Sequence, residues 1–147
     1  MQPAPDLVFD TATALSVGAR EHQEDALALD FPQGLPGGFA VLADGMGGHA
    51  AGDVASKIVV TEMFSELKLQ LGALPAPALL REAAVAANAC LAAHVEAHPE
   101  TRGMGATLIA PVIEGTRLHW ISIGDSPLWL WREGRLTQLN EDHSLAP

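Results

Sequence analysis

Two short stretches of this sequence bring carboxylates, a cation and glycines together at spacings that suit a metal and phosphate site. The first is Asp44-Gly45-Met46-Gly47-Gly48-His49, with Gly52-Asp53 just beyond it. The apolar run Phe39 to Ala43 reads as a buried strand, which would hold the Asp44 carboxylate at its end on a rigid support. Glycines after it let the backbone turn tightly and leave carbonyls and amides open to an ion. A helix following Gly52-Asp53 would favour anions at its N-terminus. On glycine content alone, a plain strand-loop-helix turn fits these residues equally well. The second stretch is Gly18-Ala19-Arg20-Glu21-His22-Gln23-Glu24-Asp25. Arg20 offers a planar cationic fork suited to a phosphate. Glu24 and Asp25 open a strand, where adjacent side chains face opposite ways, so only one of them points directly at a given ion. The other would reach it through water or by a backbone atom. Taken alone, this stretch reads as a solvated charged turn.

Three weaker segments follow. Arg102-Gly103-Met104-Gly105-Ala106-Thr107-Leu108 reads as a loop entering a strand. Ile123-Gly124-Asp125-Ser126 puts a carboxylate at a strand end, and Gly-Asp-Ser is also good turn chemistry. Asp142-His143-Ser144 suits a helix cap or a polar contact near the site. Other chemistries fail on detail. No Lys-Ser or Lys-Thr follows Gly45 to Gly48, which excludes a phosphate-binding P-loop. His94 and His98 share a helical face as zinc ligands do, but no Glu follows His94 directly, and exposed histidines near a helix C-terminus need no metal. Cys90 falls inside a helical pattern and reads as core.

The elements that must position these residues are legible from periodicity. Thr11 to Val17 and Asp25 to Phe31 alternate as strands do, and Gln33 to Gly38 is a loop. Val60, Met63, Phe64, Leu67 and Leu71 form one stripe of a helix from about Asp53 to Gly72. Leu80, Ala84, Ala87, Leu91 and Val95 mark a second helix, opened by Pro77 and closed by Pro99. Ala106 to Val112, Arg117 to Ile123, Pro127 to Trp131 and Leu136 to Leu139 are short apolar strands, with Glu114-Gly115 and Glu133-Gly134 as turns. Strands, two helices and an antiparallel meander make an α+β fold with the helix pair on one sheet face.

The 147 residues are 48% hydrophobic and 18% charged, enough for one domain with a core. A net charge of -10 argues against nucleic acid and anionic membranes as partners. The N-terminus lacks a signal-peptide pattern, and no stretch approaches the roughly 18 apolar residues of a membrane span, so a cytoplasmic location is expected. One cysteine permits no internal disulfide.

In combination and in this order, Arg20-x-x-x-Glu24-Asp25, Ala43 to His49, Met104 to Leu108, Gly124-Asp125-Ser126 and Asp142-His143-Ser144 resemble the bacterial branch of the metal-dependent serine/threonine protein phosphatases of type 2C, the PPM family. The resemblance implies an antiparallel β-sandwich flanked by helices (α-β-β-α) and hydrolysis of protein phosphoserine and phosphothreonine by a two-metal-activated water. It implies two Mn2+ or Mg2+ ions, with Asp44 bridging them, the Gly45 carbonyl on one, Glu24 in contact through water and Asp25 in the same cluster. Arg20 would hold the substrate phosphate and act in catalysis with Asp44, and Asp125 would serve a third, weaker metal. No enzyme nucleophile is required, so the lack of a Cys-x5-Arg loop is no objection.

The implied partners are a phosphoprotein substrate and an opposing Ser/Thr kinase. Two family features lack counterparts here: a later Ser-Asp-Gly segment and a final Asp-Asn segment, each supplying a metal-binding aspartate. Residues 1–147 therefore read as the N-terminal portion of a single PPM-type domain, incomplete at the C-terminus. Such a portion is expected to show impaired metal binding and activity, and to dimerise through exposed sheet edges. The alternative is a catalytically inactive phosphatase-like binding or regulatory module. Met46 stands where other branches place a histidine general acid, and Pro127 where the family often has Arg.

Overall fold

A computed structural model of the chain describes residues 8–18, 23–48 and 51–142. Arg20, His49, His143 and Ser144 lie outside the described residues. Strands β1 (Asp25–Asp30) and β2 (Gly37–Met46) are followed by helices α1 (Ala51–Gln70) and α2 (Ala76–Ala97) and a 3-10 turn, Pro99–Thr101. Then come β3 (Gly105–Ala106), β4 (Leu108–Glu114), β5 (Arg117–Ile123), β6 (Trp129–Arg132) and β7 (Arg135–Gln138). The main sheet has the order β1-β2-β4-β5, all neighbours antiparallel, with β3 paired to the end of β2. β6 and β7 form a separate two-stranded sheet. The α+β class and the antiparallel sheet with helices agree with expectation.

Alternation along the strands decides where the core sits. Phe39, Val41 and Ala43 on β2 and Leu108, Ala110 and Val112 on β4 are buried in one cluster with Val59, Met63 and Leu67 of α1 and Leu79, Leu80 and Ala83 of α2. Burying each large side chain of this set contributes about 1.5–3 kcal/mol. Phe39 and Phe64 meet edge to face at 5.3 Å between ring centres. The intervening residues of β2, including Asp44, therefore lie on the face turned away from the helices. Lys68, in the last turn of α1, reaches Asp30 at the end of β1 at 2.7 Å.

Both hairpin turns use positive φ. Gly115 has φ 62° between β4 and β5, and Glu133 and Gly134 have φ 52° and 77° between β6 and β7. Two consecutive left-handed residues suit a type I′ turn, and one at the first central position suits a type II′ turn. Pro75 precedes α2, and Pro77 sits in its first turn where no N–H is required.

Four expectations are corrected. Thr11 to Val17 is exposed and forms no strand, because alternation makes a strand only where a neighbour completes the hydrogen bonds, and none does so among the described residues. Just before this stretch Phe9 packs against Phe31 at 5.2 Å between ring centres. β2 does not stop at Ala43 but runs through Met46, because β3 pairs with Gly45 and Met46. α2 is long and apolar enough, by length and composition, to cross a membrane. It nevertheless carries Arg81, Glu82 and Glu96, and its Leu79, Leu80, Ala83 and Ala87 pack into the core. Lastly, Cys90 is exposed, because the buried stripe of α2 passes through Ala83 and Ala87 on another side of the helix.

The thiol of Cys90 is pushed above its usual pKa by desolvation, by a hydrogen bond with Glu62 and by the negative charges of Glu62 and Glu66. A raised pKa leaves less thiolate at neutral pH. Alkylation of Cys90 by iodoacetamide at pH 7.5 should therefore be slower than that of a free cysteine, and Glu62→Gln should accelerate it. Equal rates would remove the assigned role of Glu62.

Candidate active site

The centre of the site is a pair of carboxylates. In the β1–β2 ladder Asp25 stands directly opposite Asp44. Cross-strand partners share a face, so the two side chains emerge side by side on the sheet surface opposite the helices. Like charges in that arrangement repel. The Asp25 Oδ1 atom is also buried and accepts no hydrogen bond. A buried acceptor beside a second carboxylate is the arrangement that a cation would satisfy.

Glu24 faces the other way, as strand alternation requires. Its side chain lies against the start of α1: a Cβ added to Gly52 would come within 2.9 Å of the Glu24 carboxyl carbon. Its carbonyl accepts a hydrogen bond from the Gly45 N–H at 2.8 Å. Among the described residues no three His, Cys, Asp or Glu side chains converge as a metal-binding group. Of Glu24, Asp25 and Asp44, the fold sets Asp25 opposite Asp44 and joins Glu24 to Gly45 through the backbone. Divergent side chains on adjacent strand residues are the reason.

Gly45 and Gly52 make the close approach possible. Gly45 is buried on β2, and a Cβ there would run into the carbonyl oxygen of Gly52 in α1. The helix thus sits directly on the backbone of the Asp44 strand. At the helix entrance the Ala51 N–H donates to the Gly48 carbonyl at 3.0 Å.

Thr107 closes the other side of β2. Its N–H donates to the Asp44 carbonyl at 2.8 Å, and its Oγ1 accepts the Asp44 N–H at 3.0 Å. The Thr107 and Ser126 hydroxyls are 2.6 Å apart. Asn140 Nδ2 donates to the Ser126 carbonyl and to Ser122 Oγ, each at 2.8 Å, while Asn140 Oδ1 accepts the Leu128 N–H. Asp125 itself is exposed, and its neighbour Ser126 ties its loop to Asp44 through Thr107. Asp142 accepts a hydrogen bond from Gln138 at 3.0 Å. Sequence reasoning missed the roles of Thr107, Ser126 and Asn140, since nothing local shows that Thr107 lies across from Asp44, 63 residues earlier.

His94 and His98 stack face to face at 4.4 Å, and His98 approaches Glu100 at 3.5 Å.

The sequence profile described as Protein phosphatase 2C matches residues 17–145. The chain belongs to the protein phosphatase 2C family. The serine/threonine protein phosphatase PstP of Mycobacterium tuberculosis is 46% identical over 105 residues, covering 71% of this chain and 20% of that protein. Two solved phosphatase structures share the fold. One, a bacterial serine phosphatase, superposes with a TM-score of 0.77 at 30% identity, covering 89% of this chain and 54% of its own. The other, the PstP catalytic domain in complex with two manganese ions, gives a TM-score of 0.64 at 37% identity, with 82% and 56% covered. The chain thus spans one fifth of the first relative and about half of each solved structure.

Proposed function

We propose that the chain is the N-terminal portion of a single PPM-type domain that hydrolyses phosphoserine and phosphothreonine in proteins, using Mn2+ or Mg2+. The observation that carries this reading is the Asp25–Asp44 pair, with the buried, unpartnered Asp25 Oδ1, in a chain of the protein phosphatase 2C family. The residues present fit a divalent cation: hard carboxylate oxygens on one face, and a glycine backbone held open by a second glycine. The manganese pair of the PstP catalytic domain supports the same choice of ion.

Asp44 and Asp25 would hold the cation, with the Gly45 carbonyl as a further oxygen and Glu24 contributing from the neighbouring strand position. When bound, the ions would make hydroxide available from water near neutral pH and neutralise charge on the phosphoryl oxygens. Arg20 would hold the substrate phosphate in its guanidinium fork and offset the charge that grows during in-line displacement. Asp125, on the loop tethered through Ser126, would serve a further, weaker cation. Thr107 and Gly52 keep the Asp44 strand from moving as that charge shifts.

The substrate would be a phosphoprotein modified by an opposing Ser/Thr kinase, and the location cytoplasmic. The net charge of -10 argues against nucleic acid or an anionic membrane as partner. The β1 edge and the exposed Trp129, Trp131 and Leu136 of the β6–β7 hairpin support dimerisation through sheet edges. A monomer at high concentration by light scattering would remove that part of the proposal.

Metal removal tests the activity. Phosphate release from a phosphothreonine peptide should be slow, because two metal-binding aspartate segments of the family lack counterparts here, yet it should rise on adding Mn2+, stop with EDTA and return on adding excess Mn2+. Release unaffected by EDTA would overturn the metal-dependent reading. Peptide binding without release, in the presence of Mn2+, would make the chain a phosphatase-like binding module instead.

A further inference from the structure

We propose that Thr107 is a positioning residue of the metal site, setting the Asp44 carboxylate through its side-chain hydroxyl, and that Ser126 and Asn140 complete this device by locking the Asp125 loop to the same hydroxyl. The inference rests on the metal-phosphatase reading above.

Thr107 contacts Asp44 twice, through its N–H to the carbonyl and through Oγ1 from the N–H. Both peptide groups flanking the Asp44 side chain are therefore fixed by one residue. An ordinary ladder partner would leave its side chain free, whereas here the side chain is committed to the backbone of Asp44. Thr107 is only 6% exposed, so its hydroxyl meets protein groups rather than solvent. Its further partner is Ser126, 2.6 Å away and 8% exposed, immediately after Asp125.

Ser126 is not free to follow a side-chain rotation. Its carbonyl accepts from Asn140 Nδ2, and Asn140 is 8% exposed and also bound to Ser122 and Leu128. Gly124 enters this loop at φ 100°, and a Cβ there would lie 2.7 Å from Thr107 Cγ2. The loop is thus seated directly on Thr107. One hydroxyl links the strand of Asp44 to the loop of Asp125, and a buried hydroxyl without partners is costly, so the two move together. Residues that orient metal ligands typically change metal affinity by about 10–100-fold when removed.

The test compares Thr107→Val, which keeps the shape and loses the hydroxyl, with Thr107→Ser, which keeps the hydroxyl. Mn2+ binding is read from the electron paramagnetic resonance signal of free aqueous Mn2+, and folding from metal-free melting and circular dichroism. Thr107→Val should weaken Mn2+ binding by about 10-fold or more, with Thr107→Ser within about 2-fold of the wild type. Ser126→Ala, which removes the second hydroxyl, should weaken it by a smaller factor and decides the matter if Thr107→Val does not fold. Wild-type Mn2+ affinity in the folded Thr107→Val and Ser126→Ala variants would overturn the proposal, as would equal losses in the Val and Ser variants of Thr107, which indicate a packing role alone. A folded wild-type chain that takes up no Mn2+ would instead sink the metal-phosphatase reading itself, a result distinct from either.

Discussion

On the proposed metal-phosphatase reading, Asp44→Asn should lower Mn2+-dependent phosphate release by roughly 1,000-fold or more, while leaving the chain folded. The size follows from position. Asp44 is the residue at which the opposed carboxylate, the glycine backbone and the Thr107 hydroxyl all meet. Amide for carboxylate keeps the shape but removes the charge that a hard cation needs. The same substitution should cancel the stabilisation that metal gives. At free Mn2+ 100-fold above its dissociation constant, a specific site adds about 2.7 kcal/mol, which for a chain of this size is a rise in melting temperature of roughly 5–10 °C. Asp25→Asn should lose the metal-induced rise as well, and in either variant the metal-free protein should gain about 0.5 kcal/mol, because two like charges no longer face each other across the ladder. A metal-induced rise of wild-type size in both variants, followed by differential scanning fluorimetry, would show that the ion binds elsewhere.

Gly45→Ala should cost about 3 kcal/mol of stability, enough to unfold much of the population of a marginal domain. No positive φ is involved. The cause is space: the added methyl would meet the Gly52 carbonyl oxygen on the first turn of α1, and the Glu24 carbonyl lies 2.9 Å from the same point. Backbone atoms on two sides cannot swing away as a long side chain could. Relief would come only by lifting α1 off β2, which would open the contact that Val59, Met63 and Leu67 make with Phe39 and Val41. Gly48→Ala is the matched comparison, since a Cβ at Gly48 meets nothing within 4 Å. It should change stability by less than about 0.5 kcal/mol. Similar losses in both variants by chemical denaturation would refute the steric account.

Much of this was legible in the sequence, and for a common reason. Helix α1 announced itself through Val60, Met63 and Leu67, three residues of a stripe that the structure buries. The Glu133-Gly134 turn, the break at Pro75 and Pro77 and the order of the motifs were likewise readable, because each depends on neighbours within a few positions. Where the expectation failed, the deciding partner was distant. Thr11 to Val17 has the alternation of a strand but no neighbouring strand among the described residues to satisfy its backbone. Cys90 has an apolar helix around it, yet which side of α2 is covered depends on α1 and the sheet.

The site divides along the same line. The sequence by itself determined the family, the placing of a carboxylate, Asp44, after a buried apolar run, and the divergence of Glu24 from Asp25, since that divergence is the two-residue period of any strand. Only the tertiary structure decided that Asp25 faces Asp44, that Gly45 must be glycine because Gly52 rests against it, and that Thr107 holds both sides of the Asp44 peptide. These facts are matters of register and of packing between elements. A shift of one residue in the β1–β2 ladder would leave every local pattern unchanged and still send Asp25 to the opposite face.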